Sequence, residues 1–325
     1  MKQELFYMLE HAGFGDNVHE IAAEGECRVL RLDDGSGEAF MTMYRVFEGV
    51  YLMYNDFHLK HCQSQYQNAD TVLCIDHCRE GRIEHENLLG GRYYMEAGDL
   101  RIDRRVHHAG TVHLPLSHYH GITIGFMQEA ASASLAREMP AVPVHIEALS
   151  EKFCPENKEF LLRANEPLNQ LFMQLYHVPK QIRPSYFKLK ITELLLMLET
   201  LDPAACQEQR QYFPASQTDK IQEIHALLTA DLSKNYTVEA LSAQFGMPPA
   251  TLRKIFKAVY GSPVYQYLKS YRMKAAAAML ISERKCSVAE IAQRLGYDNA
   301  SKFSAAFRDV MGMTPQAYRS GREES

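Results

Sequence analysis

Near the end of the chain one pattern occurs twice, and few folds accommodate it. Thr237 is a good N-cap for a short helix whose Val238, Leu241 and Phe245 fall on one face. Gly246 supplies the left-handed residue that ends a helix, and Pro248-Pro249 permits a sharp turn and a new start. The next helix, Ala250–Tyr260, buries Leu252, Ile255, Phe256 and Val259, exposes Thr251, Arg253, Lys254 and Lys257, and is closed by Gly261. Downstream, Ser287 is the N-cap, Val288, Ile291 and Leu295 the apolar face, Gly296 the stop and Tyr297–Asn299 the turn. A helix from Ala300 to Met311 then buries Phe303, Phe307 and Val310, exposes Ser301, Lys302, Ser304, Ala305 and Arg308, and ends at Gly312. The first helices of the two copies align at an offset of 50 residues and the second helices at 51. Between the copies, Pro263–Glu283 with its run Ala275–Ala278 predicts a long, stiff helix. Two helix-turn-helix units on a rigid spacer would hold two helices about one turn of duplex DNA apart. An all-helical bundle with accidental repetition would need matching caps and stops by chance.

Charge is partitioned to suit. The whole chain carries a formal −5, but Thr218–Ser325 holds 15 Lys+Arg against 10 Asp+Glu, a formal +5, leaving −10 on the rest. A basic end on an acidic chain fits a modest DNA footprint joined to a part that does not touch DNA. A length of 325 residues suggests two or three domains. Seven dispersed cysteines, a charged opening segment Met1–Glu10 and no apolar run of membrane-spanning length predict a cytoplasmic protein with reduced thiols. The tail Gly321–Ser325 is expected to be disordered.

The doubled pattern also carries a resemblance. Thr237–Arg319 resembles the DNA-binding domain of the arabinose-operon regulator (AraC/XylS) family. It does so through Ala240-Leu241, Gly246, Leu252–Lys257, Gly261-Ser262-Pro263, Tyr271–Met273, Val288–Ala292, Gly296-Tyr297, Phe303–Arg308 and Gly312–Pro315. Lys302–Arg308 and Tyr265–Arg272 look similar to the pyochelin-regulator-like branch. The resemblance covers about a third of the chain. It implies a transcription regulator, more often an activator, that acts on RNA polymerase and carries a sensing or dimerising domain, often a cupin-like β-barrel, ahead of the DNA-binding one. The chain departs from the pattern at Ala305, where many members carry Arg, the usual bidentate reader of guanine. The first unit is therefore expected to supply more of the specificity, through Thr251, Arg253 and Lys254. Ser301, Lys302 and Ser304 remain for the second, and Lys257, Arg272 and Arg308 are expected on phosphates, which position without specifying.

Ahead of this region the chain reads differently. Met1 to Phe40 is mixed, with a turn-rich stretch at Asp33–Gly37. From Met41 to Met127, short β-type runs (Tyr44–Tyr54, Thr71–Ile75, Arg92–Met95, Leu100–Arg105, Gly121–Phe126) alternate with turn residues such as Glu96–Asp99. Ile146 to Thr200 reads as helical, most clearly over Ser185–Leu201. There Leu189, Ile191, Leu194, Leu195, Leu196, Leu198 and Leu201 form a wide apolar stripe behind Pro184. That stripe fits a dimer face and packing on the chain's own sheet equally well. Cys206–Gln217 is polar, contains a proline and reads as a linker.

Histidines crowd the β-rich part: His58, His61, His77, His85, His107, His108, His113, His118 and His120. His118-Tyr119-His120 places two imidazoles on one strand face, similar to the first half of a cupin metal motif. The carboxylate expected four or five residues on is replaced by Ile124 and Gly125, so no metal and no cofactor are assigned. Cys74 and Cys78, with Cys62 or His77, are a weaker soft-ligand grouping; ordinary buried cysteines are the better reading.

The sequence therefore predicts an α+β chain in three parts: an antiparallel cupin-like β-barrel sensor over residues 1–145, a helical dimerisation or linker segment over 146–217, and an all-α double helix-turn-helix domain over 218–325. The expected partners are double-stranded DNA, RNA polymerase, an unidentified small-molecule effector and a second copy of the chain. Arg79, Arg82, Tyr94, His118 and His120 are the candidate effector contacts, chosen for chemistry and place. No catalytic set is present, so the chain is not read as an enzyme. A metal-dependent cupin enzyme fused to a DNA-binding domain, and an architectural DNA-binding protein without ligand, are the alternatives.

Overall fold

A computed structural model describes residues 12–13, 17–86, 90–142, 144–163, 165–206 and 211–321. The segment Met1–Glu10, the tail beyond Gly321 and the side chains of His107 and His108 lie outside the described residues. The chain forms two compact units, one drawn from 1–87 and 93–212, the other from 88–92 and 213–325.

The first unit is built on one antiparallel sheet: β1 (Ala12–Gly13), β2 (Val18–Glu24), β3 (Cys27–Leu32), β4 (Glu38–Phe47), β5 (Val50–His58), β6 (His61–Glu86), β7 (Gly91–Glu96), β8 (Leu100–His113), β9 (Tyr119–Met127) and β10 (Phe160–Leu162). Its main path runs β10-β8-β6-β9-β5-β4-β3-β2. The expected closed barrel is not formed: among the described residues β10 and β2 stand at opposite ends of the path and do not pair. The run Tyr44–Tyr54, read as one segment, is two strands. Phe47 pairs with Val50 across a two-residue turn in which Gly49 takes φ 74, and a Cβ there would lie 2.6 Å from the Ala131 nitrogen.

Alternation along the strands sorts the side chains. Leu52, Leu73, Ile75, Ile122, Ile124 and Phe126 share one core with four helices: α1 (Gln128–Glu138), α2 (Ile146–Phe153), α3 (Glu166–Leu175) and α4 (Arg183–Thr200). Helix α1 was not foreseen. The helical stretch expected from Ile146 is broken by β10, whose Phe160–Leu162 pairs with Ile102–Leu100. On α4, Ile191, Leu194, Leu195 and Leu198 are buried against the sheet, while Leu189 and Leu196 are exposed at 64% and 42%. The stripe thus divides into a packed majority and two leucines facing out.

The second unit is all helical beyond Pro214: α5 (Ala215–Ala230), α6 (Val238–Phe245), α7 (Pro249–Tyr260), α8 (Val264–Ser282), α9 (Val288–Arg294), α10 (Ala300–Met311) and α11 (Pro315–Ser320). Helix α8 packs against α7 on one side and α9, α10 and α11 on the other. The small side chains of Ala276 and Ala277 share a core with Ile291, Leu295, Phe303 and Phe307, which explains why the best helix former recurs where the spacer meets the second repeat. Among the described residues no helix is long and apolar enough to cross a membrane.

Candidate nucleic-acid interface and ligand cavity

Each half of the repeat is fixed by its caps. Thr237 Oγ1 accepts from the Ala240 nitrogen at 3.1 Å and starts α6, and Gly246 ends it at φ 60. Ser287 and Glu290 form a reciprocal capping box at the start of α9. Beyond α9, Gly296 takes φ 76, and a Cβ there would meet the Ser233 carbonyl oxygen at 2.4 Å. Asn299, read from sequence only as a turn residue, accepts from Ser301 N and Lys302 N and so sets the first turn of α10.

The second helix of each pair buries one face and presents the other. Leu252, Ile255, Phe256 and Val259 of α7 are buried, as are Phe303 and Phe307 of α10. Arg253, Lys254 and Lys257 are exposed and Thr251 is half-buried; Ser301, Lys302, Ala305 and Arg308 are exposed and Ser304 half-buried. Arg253 reaches Glu239 of α6 at 2.7 Å, with both side chains more than half exposed. Such a pair contributes about 0–1 kcal/mol, so releasing the guanidinium to another partner costs little.

Arg272 does not join this face. It is 7% exposed, and its guanidinium donates to Asn235 Oδ1 at 3.0 Å and to the Lys234 carbonyl at 2.6 Å. The expected phosphate contact is corrected to a brace between α8 and the loop after α5. Nothing in the local sequence around Arg272 marks that this loop folds over the helix. Lys269 was overlooked in the sequence: it pairs with Asp309 of α10.

The first unit holds a cavity of about 180 Å³ on the sheet face opposite the helices. Its walls include Met41, Met43, Met53, Phe57, Ile83 and Tyr119. Its polar part is a buried network. Asn55 Nδ2 donates to Thr123 Oγ1 at 2.9 Å, and Thr123 Oγ1 donates to Asp76 Oδ1 at 2.7 Å. Arg105 pairs with Asp76 at 2.6 Å and with Asp103 at 2.9 Å; Arg101 pairs with Glu159 at 2.9 Å and Asp76 at 3.3 Å. Burial opposes a charge on Asp76, yet Arg105, Arg101 and the Thr123 hydroxyl outweigh it and hold the carboxyl below its ordinary range. Burial pushes the Cys62 and Cys74 thiols up to about 12, so they serve as apolar wall groups rather than thiolate ligands.

None of the five effector contacts expected from sequence lines this cavity. Arg79 lies over the Tyr176 ring at 4.6 Å, Arg82 is paired with Glu96, and the Tyr94 hydroxyl donates to Glu84 at 2.5 Å. His118 and His120 alternate with the cavity residue Tyr119 and so point away from it. The residues that do line it carried a period-2 signal in Tyr51-Met53-Asn55-Phe57, joined by Arg101 and Arg105 of β8, that charge alone obscured.

Two capped helix pairs on a shared spacer, each presenting a polar face, define the DNA-binding unit of a transcription regulator. Comparison with known proteins refines the class. Residues 241–321 match a family described as a helix-turn-helix domain. The transcriptional activator RhaR of Mannheimia succiniciproducens is 28% identical over 177 residues, 53% of this chain and 63% of that protein. A protein of Streptomyces lividans described as an AraC-like transcription regulator is 36% identical over 92 residues, 28% of this chain and 30% of that protein. The solved DNA-binding domain of AdpA in complex with a target DNA is 29% identical over 31% of this chain and 91% of its own, with a TM-score of 0.30, too low to bear on the fold. The C-terminal unit is an AraC-type DNA-binding domain of the AraC/XylS family. The chain spans less than two thirds of the length of the curated relatives named here.

Proposed function

We propose that the whole chain is a ligand-responsive transcription activator without catalytic activity of its own. The observation that carries this reading is the pair of exposed polar faces on α7 and α10, held on one spacer helix. In it, Thr251, Arg253 and Lys254 read bases, Ser301, Lys302 and Ser304 make the lesser contacts of the second half, and Lys257 and Arg308 meet phosphates. The effector is a small molecule with an apolar body and one polar end, matching methionine and aromatic walls that lead to the Asn55–Thr123–Asp76 network. It acts through different affinities for two states of the sensor, and the output is recruitment of RNA polymerase. Exposed Leu189 and Leu196, one heptad apart on α4, support a homodimer face there. The open sheet, with helices on one side and the cavity on the other, supports a sensing role for the first unit.

The test is binding of the purified chain to DNA upstream of its own gene and to scrambled DNA across a salt series. Preference for the native fragment should survive rising salt. Arg253→Ala and Lys254→Ala should each weaken specific binding by roughly 1–3 kcal/mol per lost base contact. Equal, steeply salt-dependent binding to both DNAs would leave only phosphate contacts and sink the proposal.

A further inference from the structure

The sheet face turned away from the cavity carries a group that DNA binding does not use. Asp56 and His58 lie two residues apart on β5, and Asp56 pairs across the strands with His120 of β9. His58 Nε2 stands 2.9 Å and His120 Nε2 3.3 Å from the same Asp56 Oδ1, and the three ligand atoms lie within 4.8 Å of one another. The two imidazole rings meet edge to face with centroids 5.0 Å apart.

We propose that Asp56, His58 and His120 form a binding site for a divalent first-row transition ion of the zinc or cobalt class. Zinc bonds imidazole nitrogen at about 2.0–2.1 Å and carboxylate oxygen at about 2.0–2.2 Å, which places tetrahedral ligand atoms about 3.4 Å apart. The nitrogen–oxygen separations here are already near that spacing, so with each ring's proton on Nδ1 the two Nε2 lone pairs and the carboxylate hold an ion with little movement of the side chains. Two imidazoles and one carboxylate are borderline ligands suited to zinc, cobalt or nickel rather than calcium. Asp56 and His58 are more than half exposed and His120 is 29% exposed, which leaves a route in and an open coordination position.

Neighbours on the same face extend the donor set. His118 stands beside His120 with ring centroids 6.3 Å apart. Its Nδ1 lies 3.0 Å from the Leu116 carbonyl oxygen, which can only accept, so a neutral ring keeps its Nε2 lone pair free. That Nε2 is 3.9 Å from Glu80. Tyr119, between the two histidines, lines the cavity, so the ion site lies outside it and is not a cupin-type interior centre.

The test is a cobalt(II) titration of the chelator-treated full chain, followed by visible absorption. Cobalt also reports whether any of the seven free cysteines takes part, because a thiolate ligand adds a charge-transfer band. One ion per chain is expected, with d–d bands and no thiolate band. Loss of outer-sphere partners alone costs about 10–100-fold in metal affinity, so His58→Ala/His120→Ala should weaken binding by at least that much. The His61→Ala/His113→Ala control, which removes another neighbouring pair, should bind as the parent does. Thermal midpoints of all variants in chelator should match the parent, because the altered groups are at the surface. Binding unchanged in His58→Ala/His120→Ala, a thiolate band, or no cobalt uptake by the parent would each overturn the proposal.

Discussion

Arg105→Ala is expected to destabilise the sheet unit by about 3–5 kcal/mol, the usual cost of removing one partner from a buried ion pair. The Arg105 guanidinium reaches Asp76 at 2.6 Å and Asp103 at 2.9 Å, and both acids have side chains only about a tenth exposed. Without it, Arg101 is left to serve Asp76 and Asp103 as well as Glu159. Each uncompensated carboxylate then either stays charged in a poorly solvated place or takes up a proton, and both outcomes cost stability. Arg105→Met combined with Asp76→Asn removes a charge from each side and should lose less than Arg105→Ala. Urea unfolding, followed by a probe in the sheet unit so that its transition is separated from that of the helical unit, measures both. A loss below about 1 kcal/mol for Arg105→Ala would mean that water reaches the network and that it does not behave as buried.

The second large effect is in acid. The His77 ring is stacked on Phe172 at 4.5 Å, its Nε2 faces Asn169 Oδ1 at 3.1 Å, and its Nδ1 is buried without a partner. Burial pushes its pKa down to about 4 from an ordinary 6.5, against the smaller opposing effect of the Asn169 bond. The unfolded chain therefore binds this proton more tightly. The histidine costs nothing above pH 6.5 and destabilises progressively as pH falls to about 4, by about 3 kcal/mol in total. Asp99 works the other way. Burial raises its carboxyl to about 6, so the folded state gains relative stability as pH falls through that value toward the ordinary carboxylate range. The two opposing trends overlap, and the informative quantity is the difference between the parent and His77→Phe. That variant keeps a ring against Phe172 and removes the titration, so its advantage over the parent should grow from pH 6.5 to pH 4. Parallel stability profiles for the two proteins over that range would show that His77 does not titrate as a buried group.

The two helix pairs and their spacer were legible in the sequence almost to the residue, whereas the flanking helices α5 and α11 were not. Caps, left-handed glycines and 3.6-residue periodicity are local signals, and Thr237, Gly246, Ser287 and Gly312 each act within a turn or two of their own position. Repetition multiplied those signals, and the polar faces of α7 and α10 followed from the same periodicity. Arg272 is the exception, because its burial depends on a loop folded over α8 from some 37 residues away. In the sheet unit the existence of strands was readable, but their partners were not. Which face of β5, β6 and β9 meets helices and which meets the cavity depends on pairings between residues up to about 76 positions apart, such as Val50 with Phe126. A one-residue change of register reverses every side chain. The sequence by itself therefore determined the DNA-binding architecture and the helices' exposed chemistry. Only the tertiary structure decided that Asp76, Arg101 and Arg105 meet at the cavity, that Asp56, His58 and His120 gather on the opposite face, and that the sheet stays open, because long-range strand pairing leaves no local mark on the chain.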